Sequence, residues 1–156
     1  MGSKVGGAPV LLCADGSELA VAALQAGLAL IRSDGRRIVV TVVSDIDEMA
    51  VTGAGIAGGV MSAEQAEEQL RHRQREGERI VDEAVAALGI SDADTRVVRG
   101  EPGPAVCELA RDVDAGIVVL GSRGRGAVKR VLLGSVSDYV ARNAPCPVMI
   151  TRSDST

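Results

Sequence analysis

The most informative stretch of the chain reads Gly121-Ser-Arg-Gly-Arg-Gly-Ala-Val-Lys-Arg-Val-Leu-Leu-Gly-Ser135. It follows an apolar run, Ala115-Gly-Ile-Val-Val-Leu120, that is typical of a buried strand. It leads into Val136-Ser-Asp-Tyr-Val-Ala-Arg142, whose spacing of apolar residues predicts a helix. A glycine-rich loop therefore leaves the end of a strand and closes at the start of a helix.

The charge of this stretch differs from that of the whole chain. Residues 115–137 contain Arg123, Arg125, Lys129 and Arg130 and no Asp or Glu, whereas the chain carries a formal charge of -4. Glycines let backbone N–H groups approach an anion closely, and a helix N-terminus adds unsatisfied donors and a positive dipole end. The stretch therefore predicts a phosphate-binding loop, and with it a nucleotide-binding protein.

Composition sets the class of fold. The 156 residues are 46% hydrophobic but only 1% aromatic, so the core must consist of Val, Leu, Ile and Ala. This composition suits a parallel sheet that helices cover on both faces, in one domain at this length. It argues against base-stacking nucleic-acid binders, which need aromatic side chains, and the negative charge gives no general attraction to nucleic acid.

The cysteines and the hydropathy pattern indicate where the protein works. Cys13, Cys107 and Cys146 form no CxxC motif, which argues against a zinc site, and an odd number of thiols suits a reducing compartment. Cys13 and Cys107 lie in apolar patterns and are interpreted as small core residues. No run approaches the ~18 apolar residues of a membrane span. We expect a cytoplasmic protein that contacts neither membrane nor nucleic acid.

Strand and helix patterns alternate along the chain. Such alternation implies parallel strands joined by right-handed crossovers, with a ligand at the carboxyl ends of the strands. If the first and fourth strands are neighbours, Asp15 and the glycine-rich loop share one crevice. Strands are predicted at 10–13, 38–43, 94–99, 115–120 and 147–151, and helices at 17–32, 62–88, from Pro102 or Pro104 to 111, and from 136. A domain is predicted over 9–152, with a flexible segment 1–8, a disordered tail 153–156 and an exposed loop at 44–60.

The glycine spacing identifies the loop further. Gly121-x2-Gly124-x9-Gly134-Ser135 fits neither a P-loop nor the Gly-x-Gly-x2-Gly motif of dinucleotide folds. Together with Asp15-Gly-Ser17, Gly100-Glu-Pro102 and Ala144-Pro-Cys-Pro-Val148, it resembles the universal stress protein family over nearly the whole chain. The resemblance implies a single-domain, Rossmann-like α/β fold: an open parallel five-stranded sheet of order 3-2-1-4-5 with helices on both faces. It also implies ATP in the crevice and a homodimer, for which the last strand, 147–151, offers an apolar edge.

The same resemblance implies roles for individual residues. Asp15 would bind the ribose or orient a metal, and Val42 would offer backbone groups to the adenine edge. The phosphates would meet the glycine-rich loop and the N–H groups and hydroxyl at residues 134–136, and Mg²⁺ or Mn²⁺ could bind through these phosphates, since the sequence has no dedicated metal ligands. The expected binding residues are Cys13, Ala14, Asp15, Val42, Gly121, Ser122, Arg123, Gly124, Arg125, Gly134, Ser135, Val136 and Ser137.

Simpler interpretations of these residues stay open. Asp15 and Ser135 could each only cap a helix, and the glycines could serve tight turns without a ligand. Lys129 and Arg130 could be solvated charges, and most charges of the helix 62–88, His72 among them, are expected on a solvated face. Whether the loop 46–60 closes over a nucleotide is left open.

Catalysis is not expected, because no general base is evident beside the predicted phosphate site. The favoured interpretation is an ATP-binding regulatory module of the stress response with slow or no hydrolysis and an unidentified protein partner. A cyclic-AMP- or AMP-binding stress protein and a weak ATPase remain alternatives. An adenylate-forming or ATP-pyrophosphatase enzyme is disfavoured because Cys13-Ala-Asp-Gly-Ser17 departs from its loop, and a ligand-free interaction protein is disfavoured by the complete glycine set.

Overall fold

A computed structural model describes residues 7–32, 34–45, 61–124 and 133–152. Strands and helices alternate through these ranges, as the sequence predicts. The elements are β1 (Val10–Cys13), α1 (Glu18–Leu30), β2 (Arg37–Val43), α2 (Ala63–Leu88), β3 (Asp94–Arg99), α3 (Pro102–Asp112), β4 (Ile117–Gly121), α4 (Ser135–Asn143) and β5 (Val148–Thr151). The predicted flexible segment 1–8, the tail 153–156 and the loop 46–60 lie outside the described residues, apart from Gly7 and Ala8.

The five strands form one parallel sheet in the order β3-β2-β1-β4-β5. This order confirms the Rossmann-like arrangement implied by the resemblance. The inner strands consist mostly of β-branched and aliphatic residues, and β1 and the centre of β2 are buried on both faces. Burial on both faces explains why these strands are continuous apolar runs and not alternating ones.

Alternate residues of the strands feed two separate cores. Leu12, Val39 and Val119 pack beneath α1 and α2 on one face of the sheet. Leu11, Val40 and Val118 pack beneath α3 and α4 on the other face. The helices therefore cover both faces, as predicted. The free thiol of Cys107 is buried in the second core, and Cys13 packs against the same core from its margin.

The long helix α2 begins and ends as the sequence indicates, but with a different capping partner. The Ser62 hydroxyl accepts from the Gln65 N–H at 3.2 Å, and the Gln65 side chain accepts from the Ser62 N–H at 3.0 Å. The sequence analysis associated this cap with Glu64; the partner is Gln65 because a capping box joins the cap to the third helical residue. Gly89 ends the helix with a φ of 66°. No helix of the described ranges is both long and apolar enough to cross a membrane.

Candidate functional site

The central strand is shorter than its neighbours at the carboxyl edge of the sheet. The pairing of β1 with β2 ends at Cys13 opposite Val40, although β2 continues through residues 41–43. The pairing of β1 with β4 ends at Leu12 opposite Val119, although β4 continues through residues 120–121. The ladder of β1 therefore stops short of the ends of β2 and β4, and we call the region above the end of β1, between those two strand ends, the notch. It lies where strand order reverses, the usual ligand position in such sheets.

The backbone of Val42 faces this notch. The Ala14 N–H donates to the Val40 carbonyl at 2.9 Å, and the Gly100 N–H donates to the Val43 carbonyl at 3.1 Å. Because successive residues of a strand direct their backbone groups to opposite sides, Val42 directs its N–H and C=O to the β1 side. β1 has already ended there, so this strand offers Val42 no ladder partner. The structure thus places one donor and one acceptor at the predicted adenine-facing position.

The opposite wall of the notch, Gly121–Gly124 with Gly134, is called the glycine wall below. The Gly134 N–H donates to the Ser122 carbonyl at 2.8 Å, so it serves the loop and is not available to a phosphate. A Cβ on Gly134 would lie 3.4 Å from that same carbonyl oxygen. The Ser122 N–H in turn donates to the Thr151 carbonyl of β5 at 2.9 Å. Backbone groups on both sides of the loop thus hold Ser122, whose side chain is buried.

The helix α4 starts at this wall. Its N-cap is Gly134, with a φ of -70°, and the cap has no side chain to bind the first-turn amides. Ser135 is the first helical residue and not the cap, which sets aside the interpretation of Ser135 as a capping residue. The buried Ser137 hydroxyl donates to the Gly121 carbonyl at 2.7 Å and so fastens the helix to the end of β4. The amides of Ser135 and Val136 therefore lie at a helix N-terminus that can accept an anion.

Asp15 closes the notch from the β1 side. Its Oδ1 accepts from the Ser17 N–H at 2.9 Å and from the Ser17 hydroxyl at 2.6 Å. Ser17 is the residue that caps α1, because its hydroxyl accepts from the Ala20 N–H at 3.1 Å. Asp15 is thus not the helix cap. Its Oδ2 would lie 3.2 Å from a Cβ on Gly124, so the carboxylate and the glycine wall are brought together.

The base of the notch is apolar and its thiol is protonated at neutral pH. Burial, and then the neighbouring Cys107, raises the pKa of Cys13 from 9.0 to about 12. The buried Ala14 uses its N–H within the sheet, as described above, so any backbone contact from Ala14 to a ligand must use its carbonyl. These residues therefore supply shape and one acceptor, and not a nucleophile.

The cations of the glycine-rich stretch are only partly described. Arg123, which is part of the glycine wall, is half-buried. The predicted phosphate contact Arg125, together with Lys129 and Arg130, lies outside the described residues. Among the residues that are described, no three His, Cys, Asp or Glu side chains lie close enough together to hold a metal ion.

One residue of the site was missed by the sequence analysis. Arg73 of α2 reaches the end of β2, where its Nη1 donates to the carbonyls of Ser44 and Asp45 at 2.8 and 2.5 Å. It was grouped with the charges of a solvated face, where its neighbour His72 is indeed exposed. No local signal separates Arg73 from the other arginines of the helix, since its partners precede it by 28 and 29 residues.

Comparisons with known proteins agree with this geometry. The profile of the universal stress protein family matches residues 8–152. The universal stress protein YxiE of Bacillus subtilis is 31% identical over 147 residues, which cover 92% of this chain and 97% of that protein. The profile match extends across all five strands and the glycine-rich stretch.

Solved structures share the fold. The universal stress protein UspA from Lactobacillus plantarum superimposes with a TM-score of 0.68 at 21% identity, covering 96% of this chain and 100% of that one. A universal stress protein solved in complex with cAMP superimposes with a TM-score of 0.59 at 27% identity, covering 96% and 99%. From the profile match over residues 8–152 and the 31% identity to YxiE across 92% of the chain, we conclude that this chain belongs to the universal stress protein family.

Proposed function

We propose that this chain binds ATP in the notch and acts as a nucleotide-dependent regulatory module of the stress response. The main support for this proposal is that β1 ends early, so that the Val42 backbone and the glycine wall face the notch from opposite sides. The Val42 N–H and C=O can meet the edge of an adenine ring. On the other side, the glycine wall and the start of α4, whose cap has no side chain, suit a phosphate chain.

The residues divide into three groups along the bound nucleotide. Val42 and the Ala14 carbonyl would contact the base, and the Asp15 carboxylate would accept from a ribose hydroxyl. The N–H groups of Ser135 and Val136 and the Ser135 hydroxyl would bind the terminal phosphates. A divalent cation, Mg²⁺ or Mn²⁺, would then take most of its ligands from the phosphates, as such ions do in nucleotide sites.

Hydrolysis is proposed to be slow or absent. Attack on the γ-phosphate needs a positioned base or water-orienting group. Of the carboxylates near the notch, Asp15 is assigned above to the ribose, and Asp138 pairs with Arg142 at 3.0 Å. A rate constant of ~1 per second or faster for ATP hydrolysis in single-turnover experiments would contradict this proposal. The homodimer through β5 and the cytoplasmic location stay predictions; sedimentation of the purified chain tests the former.

The decisive variant is Ser135→Glu. Ser135 is exposed at the first position of α4, where a carboxylate stabilises a helix but repels a phosphate. We expect the dissociation constant for ATP to rise by about 100-fold, while thermal stability without nucleotide is retained. Ser91→Glu, an exposed change of equal charge in the turn after α2, should bind ATP like the wild type. Calorimetry with ATP, ADP, AMP and cyclic AMP measures both.

A cyclic-nucleotide or AMP function is the second candidate, because a structural neighbour was solved with cAMP. Such a ligand carries one phosphate and need not reach the start of α4. If the wild type prefers cyclic AMP and Ser135→Glu binds it unchanged, this second function replaces the first. If the wild type shows no thermal stabilisation with any of the four ligands, where ~2.7 kcal/mol is expected at 100 times the dissociation constant, both are wrong.

A further inference from the structure

Arg73 differs from the other arginines of α2. Arg71, Arg75 and Arg79 pair with glutamates of their own helix, and their side chains are 53%, 62% and 50% exposed. Arg73 is half-buried and leaves the helix surface to bind the carbonyls of Ser44 and Asp45. These two residues directly follow β2, so the guanidinium joins the middle of α2 to the carboxyl end of that strand.

The contact provides hydrogen-bond donors for carbonyls that lie beyond the end of the sheet. Carbonyls beyond the last paired residue lose their ladder partners, and an unpaired carbonyl must find another donor or water. One guanidinium nitrogen here serves two successive carbonyls, and a charged donor gives shorter and stronger hydrogen bonds than a neutral one. The direction of the backbone at Ser44 and Asp45 is therefore set by a side chain and not by the sheet.

Gly77 brings Arg73 within reach. It lies one turn along α2, on the same side of the helix as Arg73. A Cβ on Gly77 would lie only 2.5 Å from Val97 Cγ1 and 3.0 Å from Val43 Cγ1. The helix therefore rests directly on Val43, the last residue of β2, and on Val97 within β3, which places the base of the Arg73 side chain beside the end of β2.

The residues held in this way adjoin the base-facing position. Val43 is tied to Gly100 through its carbonyl, and the next two residues are tied to Arg73. Val42 immediately precedes this segment, and its N–H and C=O point into the notch without support from β1. We propose that Arg73 is a positioning residue that fixes these two groups in the direction required by an adenine ring. This inference rests on the proposed nucleotide-binding function and concerns recognition of the base alone.

The proposal makes a chemical distinction between bases. A backbone N–H and C=O side by side match the N1 acceptor and the 6-amino donor of adenine. Hypoxanthine carries an N1 donor and a 6-oxo acceptor, which is the reverse arrangement, and a mispaired polar edge is strongly disfavoured. Inorganic triphosphate has no base and depends only on the phosphate side of the notch. The ratio of ATP to ITP affinity therefore reports how well Val42 is positioned.

The test compares Arg73→Met with Arg75→Met by calorimetry against ATP, ITP and inorganic triphosphate. Arg75 is the matched control because its guanidinium contacts only Glu68 of the same helix among the described residues. For Arg73→Met we expect ATP affinity to fall by about tenfold, ITP and triphosphate to bind as before, and the ATP-to-ITP ratio to fall accordingly. Arg75→Met should leave all three affinities unchanged. Arg73→Lys keeps the charge with a single-point donor and should give an intermediate ratio, even if Arg73→Met folds poorly.

Three results would overturn the proposal. An unchanged ATP-to-ITP ratio in Arg73→Met and Arg73→Lys, with ATP still bound, would show that Arg73 does not position the base and would leave the proposed function intact. Equal losses for ATP, ITP and triphosphate would show a general structural role. Failure of the wild-type chain to bind any of the three ligands would remove the proposed function and this inference together.

Discussion

The two walls of the notch are built by different means. The glycine wall, Gly121–Gly124 with Gly134, is held by a hydrogen bond between its own backbone groups, by another to Thr151 of β5, and by the Ser137 hydroxyl at the Gly121 carbonyl. The opposite wall, which we call the β2 wall and which comprises Val42–Asp45, is held by Gly100 and by the single side chain of Arg73. The first wall is thus held by several short contacts, whereas the second depends mainly on one long side chain that reaches it from α2. Substitutions should damage the two walls differently.

The largest expected effect comes from filling the glycine wall. A Cβ on Gly134 would meet Ser122 O at 3.4 Å and Arg123 Cα at 3.6 Å, which are ordinary contacts, and the φ of -70° suits any residue. Gly134→Ala should therefore fold and retain most of its ATP affinity. Gly134→Val adds two methyl groups against the loop and should lower ATP affinity by about 100-fold or more.

Calorimetry measures this pair, and the unfolding midpoint without nucleotide is the control for the fold. If the ATP affinity of Gly134→Val is within about threefold of that of Gly134→Ala, a difference of well under 1 kcal/mol in binding free energy, the close approach at Gly134 has no part in binding. The glycine wall would then be a set of turns, which is the simpler interpretation of these glycines.

An intermediate effect is expected from forcing α2 away from the β2 wall. Alanine is a better helix former than glycine by ~1 kcal/mol, but the Cβ of Gly77→Ala would lie 2.5 Å from Val97 Cγ1. Overpacking of this kind costs about 1–3 kcal/mol, so we expect a net loss of about 1 kcal/mol in the free energy of unfolding. Urea denaturation measures it.

Val97→Ala removes the atom that the new Cβ would meet. The double variant should therefore lose less stability than the sum of the two single variants, since contacting residues are coupled. Strict additivity would mean that α2 does not rest on Val97, and the account of how Arg73 reaches β2 would need revision.

The smallest effect near neutral pH concerns Cys13, at the base between the walls. Its pKa is raised from 9.0 to about 12, chiefly by burial. The folded state thus holds this proton more tightly than the unfolded chain, so the stabilisation is complete below pH 9.0 and is lost as the pH rises toward about 12. Chemical denaturation at pH 8 to 11 should show a steeper decline for the wild type than for Cys13→Ala. Parallel declines would place this thiol in contact with water.

The sequence analysis predicted the features that local chemistry determines. β3 was predicted at its observed bounds, and the ends of α2 were marked by Ser62 and Gly89. The glycine spacing indicated the loop that forms one wall. One prediction was wrong: the capping partner of Ser62 is Gln65 and not Glu64, because a capping box is counted from the first helical residue. The interpretation of Ser135 as only a cap, which the sequence had left open, is excluded because Gly134 holds that position.

The β2 wall could not be predicted in the same way. The exposure of the Val42 backbone toward the notch depends on the register of β1, which stops at Cys13 while β2 continues. From the residues alone Val42 is an ordinary core residue, and only the family resemblance singled it out. The role of Arg73 could not be distinguished from that of the other arginines of α2, because its partners lie 28 and 29 residues earlier and no sequence pattern links residues so far apart.

Under the proposed function, the short central strand would make room for a ligand without any change to the core of the fold. With two further paired residues at its carboxyl end, β1 would be as long as its neighbours. Its backbone would then form hydrogen bonds with the Val42 N–H and C=O. The glycine motif could still be recognised in the sequence, yet no room for a ligand would be left above the end of β1. Under the same proposal, the length of the central strand relative to its neighbours would be a second criterion, beside the glycine spacing, for judging which members of the family bind a ligand there.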